Sequence, residues 1–460
     1  MQLKLQHYGP LADATITVAP LTLFCGANNT GKTYAMYALY GLLSGRLGPA
    51  LQPDDFDTWL NETSAETVAN IDLAAFFTRH GDTLNRRIGR RLTSGLPMFF
   101  SAEPQLFQRA ALELGTDVAA RDAAVLTLAL NHRLEGRDGE TELGFTKQAG
   151  SAVLTFTRAK DLPKDIAREE LEKLFLKLAL APWRGEHTTL LLPAERSGLN
   201  LFYPELNRRR TALLHHATKP TFNAGELIQD IFLARYPQPI ADYIDLLNDM
   251  RTLRKRKSEF HDMALELQKK VLRGKFAVDK EANVTFSPRG ADSPLSLHLS
   301  SSTTKSYFGL WFYLEHIARR GDVLMIDEPE LNLHPDNQRQ LARLLVRLVN
   351  LGQRVILSTH SDYLVREINN LIVLHEKFPG HEQLRQKFGY EADEGIAADQ
   401  IRSWHFVGKG GVEPMEITAD EGILATTFDE VIHNLNESSY AIAEGRAAAQ
   451  ELAKDEVSNA

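Results

Sequence analysis

Gly26-Ala27-Asn28-Asn29-Thr30-Gly31-Lys32-Thr33 is the stretch that decides the fold, because it follows the pattern G-x-x-x-x-G-K-[ST]. It lies between the apolar run Leu21–Cys25, which predicts a strand, and residues 34–43, which predict a helix. The glycines let backbone N–H groups wrap phosphates, and the helix N-terminus adds a favourable dipole. We therefore predict that this loop binds a nucleotide, with Lys32 reaching the β- and γ-phosphates and the Thr33 hydroxyl bound to Mg²⁺. The alternative is a chance glycine-rich turn.

The second element of the predicted site is a pair of acidic residues that follows a buried strand near residue 325. Val323–Ile326 is an apolar run, and Asp327 and Glu328 come directly after it. Ligands of open α/β sheets bind at the C-terminal ends of strands. We expect Asp327 to hold Mg²⁺ through water and Glu328 to orient or deprotonate an attacking water. The alternative is that the two acidic residues only end an ordinary strand and have no catalytic role. The presence of the phosphate loop in the same chain argues against this alternative.

A histidine ends the next predicted strand. Ser358-Thr359-His360 follows the apolar run Val355–Leu357. A neutral imidazole at that position can hydrogen-bond the γ-phosphate and respond to its loss. The chain contains 15 histidines, and a lone histidine is commonly structural, so only its place in the sheet order singles out His360.

Strands alternate with helices in the C-terminal half, which predicts parallel βαβ units. Leucines lie on one face of a helix at 337–349, and a fourth strand is predicted at Leu371–Leu374. Residues from about 44 to 290 have a mostly helical pattern, with strand-like segments at Ala152–Arg158 and Thr188–Leu192. The predicted fold class is α/β, with a mixed, largely parallel sheet and a large, mostly helical insertion.

Three of these segments resemble the heads of ABC-type ATPases of the RecF, SMC and OLD (overcoming lysogenization defect) group. They are the phosphate loop with its paired asparagines, Asp327–Pro335, and Ser358–Ser361. The resemblance covers residues 1–45 and 295–375 and only loosely the part between. It implies an ABC-type head that binds ATP and Mg²⁺, hydrolyses ATP, and dimerises by enclosing the nucleotides between two heads. Pro329–Pro335 resembles the D-loop, which packs at that dimer interface.

The resemblance also implies a signature motif, at Leu299–Lys305. Ser300 matches the family's serine, whereas Ser301 and Ser302 stand where the family has glycines. In the family this loop caps the γ-phosphate bound by the other protomer, and a helix N-terminus rich in hydroxyls suits that role. The substituted glycines leave the tightness of the dimer and the turnover rate open. The same residues can also cap the helix that follows, and both roles can hold together.

Four divisions of the chain are predicted. They are an N-terminal ATPase lobe at 1–200, a helical lid or insertion at 201–290, a C-terminal ATPase lobe at 291–375, and a helical extension at 376–460. The family's Q-loop glutamine is not identified, and Gln52, Gln105 and Gln108 are the candidates.

Composition restricts the class of protein. The chain has 460 residues with a net charge of -8, which argues against bulk electrostatic coating of nucleic acid. Its single cysteine, Cys25, excludes an intrachain disulfide and fits the cytoplasm. No apolar run approaches the length of a membrane span, so we expect no membrane partner.

Two polar segments have alternative interpretations. Pro193–Leu199 either faces the nucleotide or forms an ordinary turn. Basic residues cluster at 208–210 and at Arg251, Arg254, Lys255, Arg256 and Lys257. The second cluster is flanked by acids, so a solvated helix face competes with contact to DNA or to a partner.

The expected function is that of an ATPase subunit whose ATP-gated homodimer, or higher even-numbered oligomer, controls a separate effector. The insertion is too short for SMC coiled-coil arms. The part after 375 is too short for a TOPRIM domain and shows no strand-borne acidic set of the kind that its metal site requires, so we do not expect a self-contained OLD nuclease. The chain looks like stand-alone ATPases of bacterial anti-phage systems such as PARIS, Septu and some retrons, where the effector is a nuclease or toxin. Two alternatives remain, a RecF-like DNA-repair ATPase that binds DNA directly and a transporter ATPase head.

Overall fold

The computed structural model describes residues 2–46, 48, 54–135, 141–181, 188–203, 236–424 and 434–446. The basic residues 208–210, the predicted helical residues between 225 and 235, and Gln52 lie outside these ranges. In the described part of the chain, no helix combines the length and the apolar character needed to cross a membrane.

A nine-stranded sheet organises the molecule, in the order β5-β1-β2-β16-β15-β3-β14-β13-β9. Five of its eight neighbouring pairs are parallel, so the sheet is mixed and largely parallel, as predicted from the sequence. Its strands are β1 Gln2–Tyr8, β2 Leu11–Thr17, β3 Leu21–Gly26, β5 Ala111–Gly115, β9 Thr189–Leu192, β13 Val323–Asp327, β14 Arg354–Thr359, β15 Ile401–Val407 and β16 Gly411–Pro414.

Both faces of the central strands are buried, which explains why those strands are continuous apolar runs. Along β13, Val323 and Met325 belong to one hydrophobic core, whereas Leu324 and Ile326 belong to another on the opposite face. Strand β3 alternates in the same way. Burial of both faces fixes the register of these strands and therefore the position of the residues at their ends.

Helices cover the sheet and build the insertions. Their bounds are α1 Lys32–Ser44, α2 Asp55–Ala65, α3 Leu73–Phe100, α4 Val118–Thr127, α5 Lys164–Ala179, α6 described over 196–203, α7 Gln238–Asn248, α8 Met250–Leu253, α9 His261–Glu266, α10 Ser302–His316, α11 Pro335–Asn350, α12 Asp362–Val373, α13 His381–Phe388 and α14 at 434–446. A π-helix, Leu267–Leu272, extends α9. Short 3-10 turns lie at Pro104–Phe107, Leu297–Leu299, Ala398–Gln400 and Gly408–Gly410.

The region between α1 and β9 combines helices with a four-stranded antiparallel sheet. The order of that sheet is β4-β8-β7-β6, with β4 Val68–Asp72, β6 Leu130–Glu135, β7 Thr141–Lys147 and β8 Val153–Arg158. Only β8 was predicted from the sequence. Two smaller sheets are formed by β10 Gly274–Val278, β11 Val284–Pro288 and β12 Leu295–Ser296, and by β17 Ile417–Thr418 and β18 Gly422–Ile423.

The sequence prediction is wrong in two places after residue 360. Leu371–Leu374 is not a strand: Leu371 to Val373 form the end of α12, and Leu374 is its C-cap. The segment from 376 onward is not helical throughout, because β15 and β16 join the main sheet. The short apolar run at 371–374 fits a buried helix end as well as a strand, since periodicity cannot separate the two over four residues. The four predicted divisions of the chain otherwise remain predictions.

Candidate nucleotide-binding site

The glycine-rich loop connects β3 to α1 and depends on glycine at both ends. Gly26 has φ 143° and Gly31 has φ 102°, a region that side chains disfavour. A Cβ on Gly26 would lie 2.5 Å from the carbonyl oxygen of Phe406 in β15. A Cβ on Gly31 would lie 2.6 Å from Leu11 Cδ2. The loop is therefore confined between neighbouring strands and can reverse direction only with glycine at these positions.

Lys32, the first residue of α1, turns its side chain back into the loop. Its Nζ donates to the carbonyl oxygens of Gly26 at 2.9 Å and Ala27 at 2.8 Å. Burial lowers the pKa of Lys32, and the carboxylates of Glu328 and Asp327 oppose this effect. An ammonium held by carbonyls at the centre of the loop is positioned to meet an anionic ligand.

Thr33 and Asp327 meet although they are far apart in the sequence. Thr33 Oγ1 donates to Asp327 Oδ2 at 3.0 Å, and Ser358 Oγ donates to Asp327 Oδ1. Asp327 is only 2% exposed. A hydroxyl and a carboxylate are hard oxygen ligands of the kind that Mg²⁺ binds, so this pair fits the metal implied by the sequence.

Glu328 is held in an unusual backbone conformation beside His360. Its φ is 49°, and its N–H donates to the backbone oxygen of Ser358 at 3.2 Å and to Ser358 Oγ at 3.0 Å. Its Oε1 lies 3.7 Å from His360 Nδ1. Burial raises the pKa of Glu328, with a lowering contribution from His360 and further raising contributions from Asp327 and Glu330. Such a carboxylate is suited to accept a proton.

Glu330 is a third carboxylate at this site, and the sequence did not single it out. It is 5% exposed, and its Oε1 accepts from Thr359 Oγ1 and from the His360 N–H, both at 2.8 Å. Its Oε1 also lies 3.4 Å from His360 Nδ1. Its position in the D-loop-like segment was the available signal. Glu330 thus ties that segment to the end of β14 and orients His360.

The three serines of the signature-like segment begin α10. Ser301 caps this helix by accepting from the Thr304 N–H at 3.2 Å, and Ser300 Oγ donates to Ser296 O at 3.3 Å. Within the described ranges no hydrogen bond joins Ser300, Ser301 or Ser302 to the phosphate loop. The helix-capping role is therefore present in the single chain, and the role across a dimer remains a prediction.

Arg196 is another residue that the sequence did not single out. The run Pro193–Leu199 starts α6, and the Arg196 side chain is buried against the backbone at the end of β13. Through Arg196, this segment contacts the backbone oxygens of Asp327 and Glu328. Sequence reasoning noted the polar run but had no signal for a side chain that bonds backbone oxygens.

Two of the three Q-loop candidates, Gln105 and Gln108, lie within the described residues. Gln105 lies in the 3-10 turn Pro104–Phe107 and lines a cavity of about 330 Å³ with the β1–β2 turn, and Gln108 follows that turn. Among the residues that the structure describes, neither glutamine hydrogen-bonds Lys32, Thr33 or Asp327. The family's Q-loop residue stays unassigned.

The second basic cluster follows α7. Arg251 lies in α8, and Arg254, Lys255, Arg256 and Lys257 lie in the turn after it. Arg256 and Lys257 line a cavity of about 350 Å³ together with Arg319 and Asp322. Because Asp322 precedes β13 and Asp327 ends it, this cavity lies at the opposite end of the strand from the phosphate loop.

Comparison with known families gives one match. Residues 216–365 match the family described as AAA ATPase domain (AAA_15). The matched range contains Asp327, Glu328 and His360 and excludes the phosphate loop. Over these residues the match agrees with the predicted ATPase domain. No curated protein matches the sequence at a significant level.

Solved structures that overlap with most of this chain include three Smc heads. An Smc head bound to the C-winged helix domain of ScpA has 12% identity and a TM-score of 0.36, covering 93% of this chain and 98% of its own. An Smc head with an extended coiled coil, bound to the C-terminal domain of ScpA derived from Pyrococcus furiosus, has 12% identity and a TM-score of 0.32 over 95% and 98%. The SMC head domain from Thermotoga maritima has 9% identity and a TM-score of 0.31 over 90% and 98%.

Proposed function

We propose that this protein binds and hydrolyses ATP at the site formed by residues 26–33, Asp327, Glu328 and His360. The observation that carries the proposal is the 3.0 Å contact between Thr33 and Asp327, beside the buried ammonium of Lys32. Lys32 binds the phosphates, and Thr33 and Asp327 hold Mg²⁺, which neutralises phosphate charge when bound. Glu328 orients the attacking water and accepts its proton, and His360 contacts the γ-phosphate.

We further propose that two copies close over two nucleotides and that this closure controls a separate effector. Ser300, Ser301 and Ser302 would then reach the γ-phosphate bound by the partner, where free N–H groups at the start of α10 favour an anion. The resemblance to anti-phage ATPases indicates that the effector is a nuclease or a toxin. ATP can shift the protein between open and closed states only through its different affinities for them.

Replacing Lys32 with Ala tests the ATP site. We expect ATP-Mg²⁺ to bind about 10- to 100-fold more weakly, because a hydrogen bond to a charged group contributes roughly 1.5–3 kcal/mol. Isothermal titration calorimetry measures the affinity. Lys147→Ala is the matched control, since Lys147 is also buried and donates to backbone carbonyls, but in the insertion. Equal ATP affinity for wild type and Lys32→Ala would rule out the proposed site.

The effector is tested by purification from the native host. Tagged Glu328→Gln protein, isolated with ATP-Mg²⁺, should bring down a stoichiometric nuclease or toxin that Lys32→Ala protein does not retain. Recovery of DNA alone would contradict the effector and support the second candidate function.

The second candidate function is direct DNA binding by a RecF-like repair ATPase. One observation favours it: Arg256 and Lys257 converge with Arg319 on one cavity, in a chain whose net charge is -8. Affinity for DNA that falls steeply with salt and is lost on replacing Arg256 and Arg319 would support this candidate.

A further inference from the structure

Arg196 is a buried cation that bonds backbone carbonyls. The residue is 2% exposed, and its guanidinium offers only hydrogen-bond donors and no acceptor. Nη1 donates to Asp327 O at 2.7 Å and to Pro193 O at 3.1 Å, and Nη2 donates to Glu328 O at 2.7 Å. In the described part of the chain no carboxylate forms an ion pair with it. Since burying a charge away from water is unfavourable, these three bonds must offset the loss of hydration.

Two of the three bonded carbonyls belong to Asp327 and Glu328, which carry two of the acidic groups of the site. Glu328 has φ 49°, a strained conformation for a residue other than glycine, which persists only where the surroundings enforce it. Ser358 accepts from the Glu328 N–H, and Arg196 donates to the Glu328 carbonyl. The strained residue is thus held from both sides, which fixes the direction of its side chain.

A second contact anchors the helix that presents Arg196. Asn200 lies one turn further along α6 and is also 2% exposed. Its Nδ2 donates to Lys305 O in α10 at 2.7 Å, and its Oδ1 accepts from Tyr243 OH in α7 at 2.7 Å. Helix α6 therefore joins the end of β13 to the first turn of α10.

We propose that Arg196 is a positioning residue that sets the geometry of Glu328 for hydrolysis. The inference rests on the proposed ATPase function. Arg196 does not touch the reacting atoms: it acts through the Asp327 and Glu328 carbonyls, and α6 keeps it aligned with α10. The planar fork of arginine places Nη1 on the Asp327 carbonyl and Nη2 on the Glu328 carbonyl, whereas lysine offers a single nitrogen without this fixed geometry.

Arg196→Lys tests this role, with Arg343→Lys as the matched control. Arg343 is also buried and donates to Glu367 and to the Gly389 carbonyl. We expect kcat of Arg196→Lys to fall at least about tenfold with the ATP dissociation constant within about threefold, because a small displacement of a reacting group is costly. Arg343→Lys should leave both constants within about threefold of wild type. An unchanged kcat, or a parallel loss of ATP affinity, would overturn the proposal.

A double-mutant cycle with Glu328→Gln separates positioning from a general structural effect. If Arg196 acts through Glu328, adding Arg196→Lys to Glu328→Gln should reduce the single-turnover rate no further. Fully multiplicative effects would contradict the proposal. If Arg196→Lys does not fold, Asn200→Ala retains the guanidinium and removes its anchor. We then expect a loss of kcat of about threefold or more at constant ATP affinity, and unchanged kcat would refute the inference.

The outcomes also separate this inference from the proposed function. A wild-type protein that binds and hydrolyses no ATP would refute the ATPase proposal before any variant is made. A hydrolysing wild type with an equally active Arg196→Lys variant would refute only the role of Arg196.

Discussion

At the scale of single residues, Glu328 is the proposed proton acceptor of the site. Burial raises the pKa of its carboxyl above the usual range, and His360 has the opposite effect. Glu328 accepts a proton only when ionised, so activity is present above its pKa and is lost as the pH falls through it. We expect the acidic limb of kcat to lie above the ordinary range for a glutamate, in a profile measured between about pH 4 and 8.

Removing the imidazole checks the sign of this effect. His360→Gln deletes a group that lowers the pKa of Glu328, so the acidic limb of kcat should move to higher pH. The lower absolute rate of this variant does not affect the comparison, because the midpoint is read from its own profile. A limb that stays in place or moves to lower pH would show that another group limits activity.

Some residues at the site were predictable from the sequence because local patterns encode them. The phosphate loop, Asp327 and Glu328 each follow a buried strand, and because these strands are parallel their C-terminal ends meet at one edge of the sheet. Arg196 and Glu330 were not predictable in the same way. Arg196 donates to backbone oxygens, and every residue type has one, so the sequence does not reveal this contact. Glu330 accepts from Thr359 in β14, which lies 29 residues further along the chain.

At the scale of elements, β3, β13 and β14 were predicted, whereas the place of β15 was not. Strand β15 pairs with β3, more than 370 residues earlier in the chain, so no local signal specifies that neighbour. The wrong prediction at 371–374 has the opposite cause, because there a short local pattern was present and was misleading. Leu364, Ile368, Leu371 and Ile372 follow the spacing of an amphipathic helix. The apolar run 371–374, taken alone, resembles a strand.

Truncation tests the importance of β15. A chain ending at residue 375 loses Ile401, Trp404 and Phe406, all buried, and each contributes roughly 1.5–3 kcal/mol. Their sum approaches the total stability of an ordinary domain, so this chain should fail to fold cooperatively. The matched control ends at residue 424 and keeps β15 through β18. Because every residue of α14 is exposed, that chain should melt close to the full-length protein.

Circular dichroism melts of both truncated chains distinguish the alternatives. If the chain ending at 375 melts like the full-length protein, β15 is dispensable and the predicted boundary at 375 separates an independent lobe. If both truncated chains fail, residues after 424 contribute to stability in a way that the exposed helix α14 does not explain.

At the scale of the whole molecule, the segment proposed to complete the site is Ser300–Ser302, and among the described residues no hydrogen bond joins it to the phosphate loop of the same chain. Ser301 caps α10, and Thr303 Oγ1 donates to Asn332 O at 2.5 Å, which ties the start of α10 to the D-loop-like segment. Asn332 in turn donates through Nδ2 to Ser306 Oγ at 3.0 Å. The two segments proposed to contact a partner therefore form one hydrogen-bonded unit and would move together on closure.

Glu328→Gln should trap the closed pair. The substitution removes the proton acceptor and keeps the size of the side chain, so ATP persists and the population shifts to the state that binds it more tightly. We expect sedimentation at twice the monomer mass in excess ATP-Mg²⁺ and at the monomer mass in ADP. Adding Lys32→Ala to Glu328→Gln is the control, because weaker ATP binding removes the driving force for closure. A Glu328→Gln protein that binds ATP and remains monomeric would contradict the paired-head mechanism, while the ATP site itself would stand.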